Sequence, residues 1–163
     1  ELSWLDQLAD EYDIKNPDFG RFTVWQKLLK RVDVIPNSLI IAQAIYESNW
    51  GKSRFAKLGN NYFGQRCFRE GCGIVPNQRA NGHSFEVRRF TNLLAPIESY
   101  VNNLNTHVSY QYLRQLRAQS RQSGFMPDGS TLADGLSSYS EQGHYLQSIK
   151  TIIRAYQLAK YDG

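Results

Sequence analysis

Apolar and polar positions along the 163-residue chain fall into two kinds of stretch. Leu2, Leu5, Leu8 and Ala9 in "LSWLDQLADEY" recur at the three- and four-residue spacing of an amphipathic helix, as do Val24, Trp25, Leu28, Leu29 and Val32 in "FTVWQKLLKRV". Trp4 and Trp25 lie on these stripes and are expected in the core. The intervening "DIKNPDFG" carries turn residues and reads as a loop. "VIPNSLIIAQAIYES" is different. Pro36, Asn37 and Ser38 mark a helix start, and from Leu39 to Tyr46 only Gln43 interrupts the apolar run. A helix that is apolar nearly all round packs at the centre of a domain.

The helical period fades in "GNNYFGQRCFREGCGIVPNQRANGHSFEVRRF", which is rich in Gly and Asn. Ile74-Val75 and Phe85 to Phe90 flank Asn81-Gly82, a turn dipeptide, so a short hairpin is predicted. The period returns in "LLAPIESYVNNLNTH", "YQYLRQLRAQSR", "TLADGLSSY" and "YLQSIKTIIRAYQLAKY", with "SGFMPDGS" as a loop. The pattern predicts a mainly α (α+β) fold, a single domain over 1–163 with 65–92 as a β-hairpin lobe.

Composition changes this picture little. Apolar residues make up 41% and charged residues 21%, ordinary for a soluble globule, while 13% aromatic content suits ring-shaped ligands. A net charge of +4 favours an anionic partner such as nucleic acid, acidic lipid or bacterial cell wall. The Lys and Arg residues are spread along the chain rather than clustered, which argues against nucleic acid. No apolar run reaches the roughly 18 residues of a membrane span. The chain starts at Glu1 without an initiator Met or a signal-peptide pattern, as a trimmed or processed domain would. Cys67 and Cys72 in "CFREGC" are expected to close a small disulfide loop in an oxidising compartment, the alternative being two free thiols in the cytosol. His83, His107 and His144 are scattered and no CxxC spacing occurs, so no metal or cofactor is expected. His107 and His144 read as capping or surface residues. Arg114, Arg117 and Arg121, at i, i+3 and i+7, read as a solvated helix face. The alternative for them, and for Arg88 and Arg89, is a hold on phosphate or peptide-stem carboxylates.

Glu47 is the position of chemical interest. It closes the most apolar helix, where the helix dipole does not favour an anion. Burial beside Ile40, Ala44 and Trp50 would raise its pKa, and a carboxyl group kept protonated near neutral pH can donate a proton to the leaving oxygen of a sugar. The plain alternative is a helix-end Glu pointing into water.

"ESNWGKSRFAKLGNNYFG" closely resembles the signature of the N-acetylglucosaminidase family that includes the flagellar cell-wall hydrolase. In that family Glu-Ser-x-Trp-Gly-x-Ser ends the central helix and Asn-x-Phe-Gly follows in the cleft wall. "CFREGCGIVPNQRANGHSFEVRRF", "SYVNNLNTH" and "LSSYSEQGHY" are similar to its Bax-like branch. The resemblance implies a lysozyme-like helical domain, with the hairpin lobe facing it across a substrate groove, that cleaves peptidoglycan after N-acetylglucosamine. Carried over by position, Glu47 is the catalytic acid and Tyr139 the Tyr of a late "YS" element. Asn61, Tyr62, Phe63 and Gly64 form the wall, and Trp50 and Tyr145 join the substrate site. Trp50 has a second possible place, packed beneath the acid. A second carboxylate is expected on the hairpin, Glu86 before Glu70, unless the substrate's own acetamido group acts as nucleophile with Tyr139 steadying it. The expected partner is the glycan strand, met by a monomer in the periplasm or exported to the cell envelope. The rivals are a lytic transglycosylase, against which the lack of a "GLMQ"-like run argues, and a wall-binding module that has lost activity.

Overall fold

The computed structural model describes residues 3–77, 82, 84–140 and 143–162. Helix α1 (Trp4–Glu11) starts on a capping box, with the Ser3 hydroxyl accepting from the Asp6 amide and the Asp6 carboxylate accepting from the Ser3 amide. With α2 (Phe22–Arg31) it encloses a small cluster of Ala9, Ile14 and Leu28. The cluster admits only one stripe of each helix. Trp4, expected in the core, is instead 71% exposed, and Trp25 lies at the surface with its indole N–H donating to the Phe19 carbonyl at 2.9 Å.

The main core forms around α3 (Asn37–Ser48), as its apolar run predicts: Leu39 and Ala42 are buried against α7 (Gly129–Ala133) and α8 (Tyr145–Ala155). Helix α3 has no side-chain cap of its own. Asp162, from the far end of the chain, supplies one: its carboxylate accepts from the Ser38 amide at 2.7 Å and the Ser38 hydroxyl at 2.6 Å. An anion there also complements the positive end of the helix dipole. After α3 comes short α4 (Arg54–Gly59), and later α5 (Leu94–Thr106) and α6 (Gln111–Gln122) complete the helical layer.

Arg114 and Arg117 do not lie on a solvated face. Arg117 is 1% exposed, and its guanidinium donates to the carbonyls of Lys30, Asp33 and Val34 and to Asn105 Oδ1, at 2.7–3.0 Å. Arg114 donates to the carbonyls of Leu104 and His107. Each guanidinium thus satisfies carbonyls left open at the C-terminal end of a neighbouring helix, α2 for Arg117 and α5 for Arg114. Arg121 pairs with Asp33 at 2.7 Å. Spacing alone could not separate an inward arginine stripe from an outward one.

Strands β1 (Arg66–Cys67), β2 (Gly73–Ile74) and β3 (Glu86–Arg88) form an antiparallel sheet in the order β1-β3-β2. The predicted hairpin is the β2–β3 pair, with Ile74 opposite Val87. Strand β1 was not expected, since Arg66 and Cys67 belong to no alternating apolar run. Asn81 of the predicted turn, and His83, lie outside the described residues. Cys67 and Cys72 are joined in a disulfide, with Cα atoms 6.2 Å apart.

Candidate active site

Helix α3 delivers Glu47 to its C-terminal end, where the chain turns sharply. Asn49, Trp50 and Gly51 follow in left-handed conformation, with φ of 49°, 57° and 70°. Such a run is costly for residues other than Gly and needs outside support. Ser48 provides it, as its hydroxyl donates to the Ala44 carbonyl at 2.5 Å and accepts from the Gly51 amide at 2.7 Å. The turn swings Trp50 outward. Half exposed, it meets the Tyr156 ring edge-on at 4.8 Å, so it does not pack beneath the acid.

Glu47 is partly buried, and the groups that act on it are tyrosines: Tyr145 by hydrogen bond, and Tyr100, Tyr110 and Tyr139 through space. Burial raises the Glu47 pKa above its ordinary value, and the Tyr145 hydrogen bond offsets this only in part. The tyrosines are pushed up as well, chiefly by burial and further by the facing carboxylate, so they remain neutral donors.

The wall residues divide by role. Asn61 is buried, and its amide binds four backbone groups: it donates to the carbonyls of Gln65 and Arg88 and accepts from the amides of Phe63 and Gln65. It clamps the wall to β3 and has no free face for a ligand. Phe63 is buried and stacked on Tyr100 at 4.2 Å. Gly64, with φ 69°, runs beside the acid; a Cβ built there would lie 3.7 Å from Glu47 Oε2. Tyr62, Phe63 and Trp50 line an apolar groove of about 540 Å³ with Ile41, Ala44 and Ile45, and Glu47 stands outside that lining.

Two expected site residues are committed to the protein itself. Tyr139 donates its hydroxyl to the Phe63 carbonyl at 2.7 Å and stacks on Tyr145. Tyr145 is buried, facing Glu47 from within the core. Gln43 and Tyr100, which no sequence motif marks as site residues, complete the array. The Tyr100 hydroxyl donates to Gln43 Oε1, and Gln43 Nε2 donates to the Tyr145 oxygen at 2.7 Å.

Glu86 lies on a strand, as expected, but not as a free groove-facing group. It is 6% exposed, and its carboxylate accepts from the Gly71 and Gly73 amides at 2.9 and 2.7 Å. Its carboxylate approaches the sulfurs of Cys67 and Cys72 within 4.8 Å, but those sulfurs are bonded to each other and offer no thiolate to a metal. Glu70 is exposed in the same loop. His107 caps a turn through the Ser109 amide, and His144 lies 3.4 Å from the Tyr46 hydroxyl.

A helical body around a helix-end acid, with a three-stranded antiparallel sheet beside it, defines a lysozyme-like fold. The model of the glucosaminidase family, described as mannosyl-glycoprotein endo-beta-N-acetylglucosaminidase, matches residues 23–158, and the chain belongs to this family of glycoside hydrolases. It is 34% identical over 143 residues to protein bax of Escherichia coli (strain K12), covering 88% of this chain. The chain spans about half the length of that relative, 50%. The catalytic domain of the autolysin Auto from Listeria monocytogenes has a similar fold, with a TM-score of 0.56 over 99% of each chain at 18% identity.

Proposed function

We propose that this chain hydrolyses the glycan of peptidoglycan after N-acetylglucosamine, with Glu47 as general acid. The observation that carries the reading is a carboxyl group at the end of the central helix, raised in pKa by burial and surrounded by neutral tyrosines rather than cations. Such a group holds a proton where an exposed Glu has lost its own, and gives it to the glycosidic oxygen as the C–O bond breaks.

The second group in this reading is the substrate's acetamido oxygen. Glu86 is buried in the lobe with each of its oxygens accepting from a backbone amide, which commits it to holding the loop. The acetamido oxygen attacks the anomeric carbon, the leaving sugar departs with the proton from Glu47, and the resulting Glu47 carboxylate takes a proton from the water that opens the cyclic intermediate. The Tyr139 hydroxyl is engaged with Phe63, so Tyr139 acts here by fixing the wall rather than by donating to substrate. The whole chain acts as one domain in this reading, with 65–92 as its lobe, and it works in the envelope, where the glycan is. The Cys67–Cys72 bridge suits an oxidising compartment outside the cytoplasm.

Mass spectrometry of soluble fragments from digested peptidoglycan tests the proposal. Reducing-end N-acetylglucosamine is expected. Anhydro-muramic ends would indicate a transglycosylase, which a lone acid also fits, and intact sacculi would indicate a binding module.

A further inference from the structure

Gln43 takes no direct part in the proposed chemistry. It is fully buried on α3, one helical turn before Glu47, and is the one polar interruption of the apolar run. A buried amide must have its donors and acceptor satisfied, so an apolar residue would be the cheaper choice here unless the amide does something. Its two partners are specific. Oε1 accepts from Tyr100, which leaves Nε2 to donate to the Tyr145 oxygen at 2.7 Å. A phenol has one proton, and with its oxygen already accepting from Gln43, that proton is left for the Glu47 carboxyl beside it.

We infer that Gln43 is a positioning residue: it fixes the Tyr145 hydroxyl as a donor to Glu47 and so keeps the acid's own proton on the carboxyl oxygen turned away from the core. The carboxyl oxygen touched by Tyr145 is an acceptor, which leaves the other oxygen to carry the proton that the leaving sugar receives. Without Gln43 the hydroxyl is free to turn round and accept from protonated Glu47, drawing the reactive proton inward. This deepens the proposed function and rests on Glu47 being the acid. The other titratable groups facing Glu47, namely Tyr100 from α5, Tyr110 from the turn after it and Tyr139, do not supply this orientation. Tyr139 donates elsewhere, to the Phe63 carbonyl, and Tyr100 donates to Gln43 itself.

Gln43→Met keeps the length and removes the amide. The expected result is turnover reduced about 10- to 100-fold with little change in KM, the scale of one hydrogen bond to an ionised group. The Glu47 titration, followed by carboxyl-carbon NMR on the intact chain, should move up by about 0.5 to 1 pH unit because protonated Glu47 gains an acceptor in the freed Tyr145 hydroxyl. The alkaline limb of the pH–rate profile should move with it. In the Tyr145→Phe background, Gln43→Met should cost almost nothing further, since the two act through one hydroxyl. An unmoved Glu47 titration in folded Gln43→Met, or additive losses in the double variant, would overturn the inference. Should Gln43→Met fail to fold, Tyr145→Phe must itself show the upward titration, and its absence would equally overturn it. The titration needs no substrate. A shift in Gln43→Met, with wild-type protein that leaves glycan intact, would therefore refute the proposed function and keep the positioning role.

Discussion

At the scale of residues, Glu47 loses water at the end of α3 and gains tyrosine neighbours in place of a cation, and this has a consequence for stability. Its folded pKa is raised above the ordinary 4.5, so in the window between 4.5 and the folded value the native state holds a proton that the unfolded state has released. Stability therefore falls as pH rises through that window, and the cost persists above it. Glu47→Gln removes the titration. The variant should be more stable than wild type at neutral pH, with the difference vanishing below about pH 4, as thermal melts across pH will show. Gly64 gives a second test. A side chain at φ 69° is strained, and the added methyl would reach Glu47 Oε2. Gly64→Ala should lose about 1 kcal/mol of stability in denaturant titration through backbone strain, since the methyl meets the carboxyl only at ordinary contact distance. Glu47 stood out in the sequence as the candidate acid, since a carboxylate closing an apolar helix is anomalous. Gln43 was equally visible as the one break in that run, four residues from Glu47. Its role stayed hidden because its partners, Tyr100 and Tyr145, are 57 and 102 residues away.

At the scale of elements, the short sheet has little core of its own and depends on cross-links. The Cys67–Cys72 bridge and the Glu86 carboxylate hold the same loop, one covalently and one through the Gly71 and Gly73 amides. Reduction of the bridge should cost roughly 2 kcal/mol, read as a lower denaturation midpoint with reductant. Glu86→Gln keeps one accepting oxygen but turns an amide N–H toward the other of the two backbone donors. It should cost about 1–3 kcal/mol while turnover per folded molecule stays near wild type, and a severe loss of turnover would restore Glu86 as the second catalytic group. Among the helices, Arg117 bridges α6 to the end of α2 and to Asn105 of α5. Arg117→Met should cost about 3–5 kcal/mol, since four acceptors lose their donor within the core. The helices themselves were readable from apolar spacing. The direction of the arginine stripe was not, because a guanidinium that satisfies helix-end carbonyls and one that faces water have the same period.

At the scale of the whole molecule, the helical body with its small sheet follows from the alternation of helical period and Gly-rich sequence, and the family match over residues 23–158 agrees with the motifs that suggested it. Less visible was the way distant segments support the central helix. Asp162 caps its start, Gln43 ties its middle to α5 and α8, and the wall at Phe63 and Gly64 closes on its end. All three bear on the helix that ends in Glu47. The most direct measurement is turnover of purified peptidoglycan by folded Glu47→Gln beside wild type. If Glu47 is the general acid, release of fragments falls by about two to four orders of magnitude while the glycan is still bound; a folded variant that keeps more than about a tenth of the wild-type rate would contradict the account.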